Sequence, residues 1–175
     1  MHSSKTVFEQ IWDGDLPSFP IFKSDKHGIQ VVLDIFPAQP GHMLVIPREP
    51  VDHIFDLEPH RYLQVFTVSQ AAAQQIRDVL QPLRVMHIVS GYDIPHVHVH
   101  LLPSFRRGDT EANLLAGREG KRAKDEDLAA MQKRLVFPTG LAEELEMRMD
   151  RIVAQETGFS QDVAAQDLAR RLRNQ

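Results

Sequence analysis

Residues 96–100 read His-Val-His-Val-His, the densest run of reactive side chains in the sequence. In an extended strand successive side chains point to opposite faces. His96, His98 and His100 then share one side, and Val97, Val99 and Leu101 share the other. Neighbouring imidazoles stand roughly 6.6 Å apart at Cα. The apolar side suits a core. The imidazole side needs partners for its ring nitrogens, because a buried polar group left unmatched is costly.

Three readings fit these residues. One is a structural cluster, against which stand the mid-chain position and the strictly apolar interleaving. A second is a metal site, since histidines at i and i+2 on a strand bind zinc or iron when another ligand joins them from elsewhere. The next Glu along the chain is Glu111, beyond Pro103 and the Arg106–Arg107 pair. The third is nucleophilic catalysis. Imidazole is substantially neutral near pH 7 and so needs no special activation. Its attack on phosphorus gives a phosphoramidate that water later cleaves, dividing one hard step into two. Flanking histidines hold the nucleophile's tautomer and donate to phosphate oxygens, so this reading uses all three.

The chain has 175 residues, 42% hydrophobic and 25% charged, which suits a globular domain with a real core. A formal charge of −4 argues against a protein that coats polymeric nucleic acid. There is no cysteine, which excludes disulfides, thiolate zinc sites and cysteine nucleophiles. No apolar run reaches the length of a membrane span. The opening segment turns acidic without an apolar stretch, so the expected setting is cytoplasmic. Neither a phosphate-binding GxxxxGK[ST] loop nor a GxGxxG or GxSxG motif occurs.

Apolar runs of strand length alternate with turn residues from Val7 to Pro103. The segment VFEQIWDGDLP begins with a short helical stretch that places Phe8, Ile11 and Trp12 on one face, and Pro17 and Pro20 end any helix there. Strands are expected at 21–24, 29–36, 42–47, 84–91 and 96–103, with a turn at Asp25–Gly28. Asp56 is the expected N-cap of a helix reaching Leu80, with Tyr62, Phe66, Ala73, Ile76 and Leu80 inward. Paired strands interrupted by one long helix imply an α+β domain on a mainly antiparallel sheet. Residues 105–127 are dense in charge and glycine and read as an exposed loop. Helices are expected near 126–135 and 141–155, with Thr139 as a cap, and a last helix from Ser160. The expected division is a domain over 1–104 followed by a charged loop and helical extension over 105–175.

The run HVHVHLL resembles the His-φ-His-φ-His-φ-φ signature of the histidine triad (HIT) superfamily, φ being apolar. Two upstream segments extend the likeness. VFEQIWDGDLP is similar to the family's opening, and LDIFPAQPGHMLVIP to its aspartate-to-histidine stretch, with Asp34, Pro37, Pro40, His42 and Pro47. The resemblance covers about residues 7–103 and implies a five-stranded antiparallel HIT-like fold with a helical C-terminal extension. His100 stands where related transferases typically carry Gln, so the chain looks like the Hint and Fhit-like hydrolases.

Carried onto these positions, the resemblance implies His98 as nucleophile, with His96 orienting it partly through its backbone carbonyl. His100 would donate to the α-phosphate and His42 would support the triad from a neighbouring strand. Asp34 would take the ribose hydroxyls. Phe8, Ile11, Val32 and Ile35 fall near the base, where core packing is an equal reading. The substrate implied is a purine nucleotide conjugate, a phosphoramidate or dinucleoside polyphosphate, cleaved to a nucleoside monophosphate without a required cofactor, in a homodimer. A metal-binding protein using the three histidines and a non-catalytic nucleotide-binding module are the alternatives. Before the triad, Tyr92 and Asp93 replace the Gln and Ser/Thr common in these hydrolases; GYDIPH is similar to a Gly-x-Glu-Val-Pro-His variant of bacterial members. Arg106 and Arg107 are candidates for a distal phosphate or for a solvated loop. His53, His60 and His87 read as scattered surface or half-buried histidines.

Overall fold

The computed structural model describes residues 5–109 and 121–173, with side chains as far as Glu156. Its elements are α1 (Val7–Asp13), β1 (Pro20–Ser24), β2 (Ile29–Leu33), β3 (Met43–Pro47), a 3-10 turn (Ile54–Asp56), α2 (Pro59–Leu80), β4 (Arg84–Ile88), β5 (Val99–Ser104), α3 (Asp125–Leu135) and α4 (Thr139–Arg173). The five strands form one antiparallel sheet in the order β1-β2-β3-β5-β4. This is the α+β architecture expected of a HIT-like fold.

The two faces of the sheet are unequal. Val31, Leu33, Met43, Val45, Val99 and Leu101 turn to one face, where they pack with Val65, Val68, Ala72 and Ile76 of α2. The same core takes in Leu128, Leu135, Phe137, Leu145 and Met149 from α3, α4 and the junction between them. The opposite face carries Val32, Leu44 and Ile46, covered by Phe8 of α1. The alternation of β-strands thus sends the valines between the histidines to the large core and leaves the imidazoles on the face that α1 covers only in part.

Several boundaries differ from the sequence reading, each for a local reason. Asp56 does not cap α2; it ends the 3-10 turn, and α2 starts at Pro59 after Glu58. Proline forces its predecessor out of the helical region and suits the first helical position itself. The buried stripe of α2 is Val65, Val68, Ala72 and Ile76, while Tyr62, Phe66, Ala73 and Leu80 flank it half-buried. β5 begins at Val99, not His96, because the Val97 amide pairs with the Val51 carbonyl (2.7 Å) outside the ladder. α1 ends at Gly14, whose φ of 83° makes the left-handed cap, before either proline acts. Thr139 is the first residue of α4 rather than its cap, and α4 runs unbroken past Ser160. Residues 110–120 of the expected loop lie outside the described residues. No described helix is long and apolar enough to cross a membrane.

Candidate active site

Each triad ring has its tautomer set by its partners. The His98 Nδ1 lies 2.7 Å from the His96 carbonyl oxygen, which can only accept. Nδ1 therefore carries the proton and the lone pair sits on Nε2. The His96 Nε2 donates to the Pro47 carbonyl at 2.8 Å, so its Nδ1 accepts from the Thr6 hydroxyl, also at 2.8 Å. Burial pushes the His96 imidazole below its ordinary range against smaller opposing effects of the Pro47 carbonyl, Glu9 and Glu49. This ring is held neutral and serves as a brace for the backbone that grips His98.

His42 plays the same part for His100. The Ala38 amide, which can only donate, approaches His42 Nδ1 at 3.3 Å, and Asp34 Oδ2 lies 3.4 Å from the same nitrogen. In a neutral ring accepting from Ala38, and in a protonated ring facing Asp34, Nε2 carries a proton. That proton is donated to His100 Nδ1 at 3.0 Å. The proton of His100 then sits on Nε2, as a donor. The approach of the 37–42 loop depends on Gly41, whose φ is 87° and where a Cβ would meet the end of the Leu80 side chain. Glycine takes this backbone angle without strain, and any larger residue would also have to displace Leu80.

These rings meet a cleft of about 230 Å³. His98 and His100 line it together with Asp34, Asp93 and the apolar Phe8, Ile11, Val32 and Ile35. The Phe8 ring packs on His98 with centroids 4.9 Å apart and on His96 at 5.5 Å. His96 and His42 do not line the cleft; both are fully buried behind it. Asp34 lies just past β2, its Oδ1 accepting from the Phe36 amide at 2.8 Å. Eight of the ten residues singled out in the sequence thus share one cavity, and the other two support it.

Sequence reasoning missed Thr6 and the Pro47 carbonyl. Thr6 was findable: with Glu9 it forms a capping box at the start of α1, a pattern visible as Thr-x-x-Glu. Nothing in the sequence marks Pro47 as an acceptor for a histidine 49 positions away. Arg106 and Arg107 lie on the exposed loop after β5 and do not line the cleft. His53 is exposed, His60 pairs with Glu156 at 2.6 Å, and His87 is exposed on β4.

The three triad rings do not converge on a shared ion. Both nitrogens of His96 are taken by Thr6 and Pro47. Among the described residues the donor set that comes together is instead Asp34, His42 and His100, with atoms within 4.8 Å of one another. Asp34 and His100 face opposite nitrogens of His42.

A family model described as the HIT domain matches residues 14–107. "Protein hit" of Bacillus subtilis is 29% identical over 115 residues, 62% of this chain and 78% of that protein. The asymmetrical bis(5'-nucleosyl)-tetraphosphatase of Schizosaccharomyces pombe is 33% identical over 88 residues, which cover 47% of this chain and 48% of the yeast protein. Among solved structures, a HIT-like protein from Bartonella henselae shares the fold at 19% identity with a TM-score of 0.66, covering 77% of this chain and 96% of that one. With more than half its length matched by the family model, the chain belongs to the HIT domain family.

Proposed function

We propose that this protein is a nucleotide hydrolase that breaks a P–N or P–O bond at an α-phosphate through a nucleotidyl-histidine intermediate. The observation that carries the reading is the 2.7 Å bond from His98 Nδ1 to the His96 carbonyl, which puts the His98 lone pair on Nε2 in a residue lining the cleft. Phe8, Ile11, Val32 and Ile35 receive the base and Asp34 the ribose hydroxyls. The Nε2 lone pair of His98 forms a bond to phosphorus. The bond to the leaving group breaks, its electron pair going to the departing nitrogen or oxygen, which takes a proton from bulk water that the hydrolytic water later returns. His100 Nε2–H donates to a phosphate oxygen as charge builds there. Water then adds to phosphorus, the N–P bond to His98 breaks, and a nucleoside monophosphate leaves. No step in this scheme calls on a metal ion or other cofactor.

The yeast tetraphosphatase relative supports a nucleotide substrate. We further propose a cytoplasmic homodimer. β4 is an edge strand, and the groove of about 710 Å³ beside it is lined by Leu63, Phe66, Ala73, Leu83 and Val85. Leu63 and Leu83 are exposed there, and an apolar groove along an open sheet edge suits a second copy of the chain. The half-buried side of α2 faces this groove, which accounts for Phe66 and Ala73 lying off the core stripe. Over residues 1–104 we place the catalytic domain, with 105–175 as its C-terminal extension.

Rapid denaturation of enzyme mixed with an adenosine phosphoramidate, followed by peptide mass spectrometry, should find a nucleotidyl adduct on His98. His98→Ala should fold normally and lose about 10³-fold or more in turnover. Activity within a few-fold of wild type in that variant would falsify the assignment.

A further inference from the structure

The cleft has two ends. α1 and β2 supply the apolar wall and Asp34, which the reading above gives to base and ribose. The remaining wall is the segment Ser90–Ile94, immediately before the triad, and it contributes Ser90, Tyr92, Asp93 and Ile94. A leaving group that departs from a phosphorus held at His98 has this segment beside it. Among the described residues that line the cleft there is no lysine or arginine; its formally charged groups are the carboxylates of Asp34 and Asp93. The ring of Tyr92 is 95% exposed, so its face is open to whatever occupies the mouth.

We propose that Ser90–Ile94 forms a leaving-group subsite selective for a cationic amine, with Asp93 as counter-charge and Tyr92 as the aromatic face. The inference rests on the hydrolase reading and narrows its substrate to nucleoside phosphoramidates whose departing amine carries a second, positively charged group. The carboxylate attracts an ammonium and repels a polyphosphate tail, and no side-chain cation in the described lining offsets that repulsion. An ammonium over an aromatic face gains further attraction. Asp93 thus acts on specificity, while the bond-breaking step remains with His98.

The test is a set of three adenosine 5'-phosphoramidates with leaving amines of similar length: 1,4-diaminobutane, pentylamine and 4-aminobutanoate. kcat/KM should fall from the ammonium to the methyl to the carboxylate tail, by about fivefold or more per step at low salt, and the spread should shrink as salt is added. Diadenosine tetraphosphate should be a poorer substrate than the ammonium-tailed compound. Asp93→Asn should compress the series to within about twofold, Asp93→Lys should reverse it, and Tyr92→Ala should lower the ammonium preference alone. A flat series in the wild type, a series unchanged by Asp93→Asn, or faster cleavage of the tetraphosphate overturns the subsite while leaving the hydrolase intact. Failure of the wild type to turn over any of these compounds overturns the hydrolase reading, and this inference with it.

Discussion

At the scale of single residues, the site is a set of proton positions fixed by neutral partners. His96 is the plainest case: one nitrogen donates to Pro47 and the other accepts from Thr6. Thr6→Val removes the hydroxyl from both His96 and the cap of α1. It should cost about 1 kcal/mol of stability and lower kcat about tenfold with little change in KM. Thr6→Ser should restore both, and Glu9→Gln, which weakens the cap and leaves the Thr6 hydroxyl on His96, should keep kcat. Equal kcat losses in Thr6→Val and Glu9→Gln would mean that α1 fraying, not the bond to His96, is responsible. The depressed titration of His96 has its own consequence. Below about pH 6.5 the unfolded chain takes up a proton at this position that the folded ring resists. The contribution of His96 to stability is therefore complete above that pH and is lost as pH falls from there through the lower value of the folded ring. An NMR titration of the His96 ring should give a midpoint below 6.5; a midpoint at or above it contradicts the burial argument. Little of this bracing was legible in the sequence, because Thr6 lies 90 positions from His96 and Pro47 lies 49 away. The triad itself was legible, since strand alternation alone puts His98 and His100 on one face and Val97 and Val99 on the other.

At the scale of elements, the pieces were readable and their ends were not. The apolar runs IQVVL and MLVIP, bounded by turn residues, identified β2 and β3, whose register pairs Val31 with Val45. Boundaries failed where backbone hydrogen bonds went elsewhere: the Val97 amide to Val51, or the extended Glu58 held out of α2 by Pro59. The turn His27 was also invisible as a buried residue. It accepts from Gln64 of α2 at 3.1 Å and lies 3.1 Å from Asp150 of α4, a three-way contact that no local pattern announces. The loop between β2 and β3 yields the sharpest prediction at this scale. Gly41→Ala places a methyl group against Leu80 at a left-handed backbone angle. It should lower stability by about 2 kcal/mol or more in urea unfolding, and kcat should fall with it as His42 loses its seat beneath His100. Unchanged stability would show that the loop retreats from α2 without difficulty.

At the scale of the whole molecule, composition and charge indicated a globular domain with its own core, but not how its surfaces meet one another or a second copy. The groove beside β4 is where assembly is testable. Replacing exposed Leu83 or Leu63 with Glu should convert a dimer into a monomer by sedimentation or light scattering, with the fold retained. A wild-type chain that runs as a monomer at all accessible concentrations would remove the proposed assembly. The helices after the triad strand carry no pattern that says where they dock, since Leu128, Leu135 and Leu145 look like any amphipathic stripe. Their destination is set by α2, which both helices pack against, and by β1, which α3 also touches.

That docking bears on how the chain tolerates truncation. The HIT match ends at residue 107, yet the apolar interior continues into Leu135, Leu145 and Met149, each fully covered. Two backbone bonds tie the later part to the earlier one, Ala123 to Ile35 just past β2 and Phe137 to Ile21 of β1. A protein cut after Asp109 would leave the underside of β1, β2 and α2 wet and should aggregate rather than persist as a smaller working enzyme. Leu145→Ala alone should remove about 3 kcal/mol.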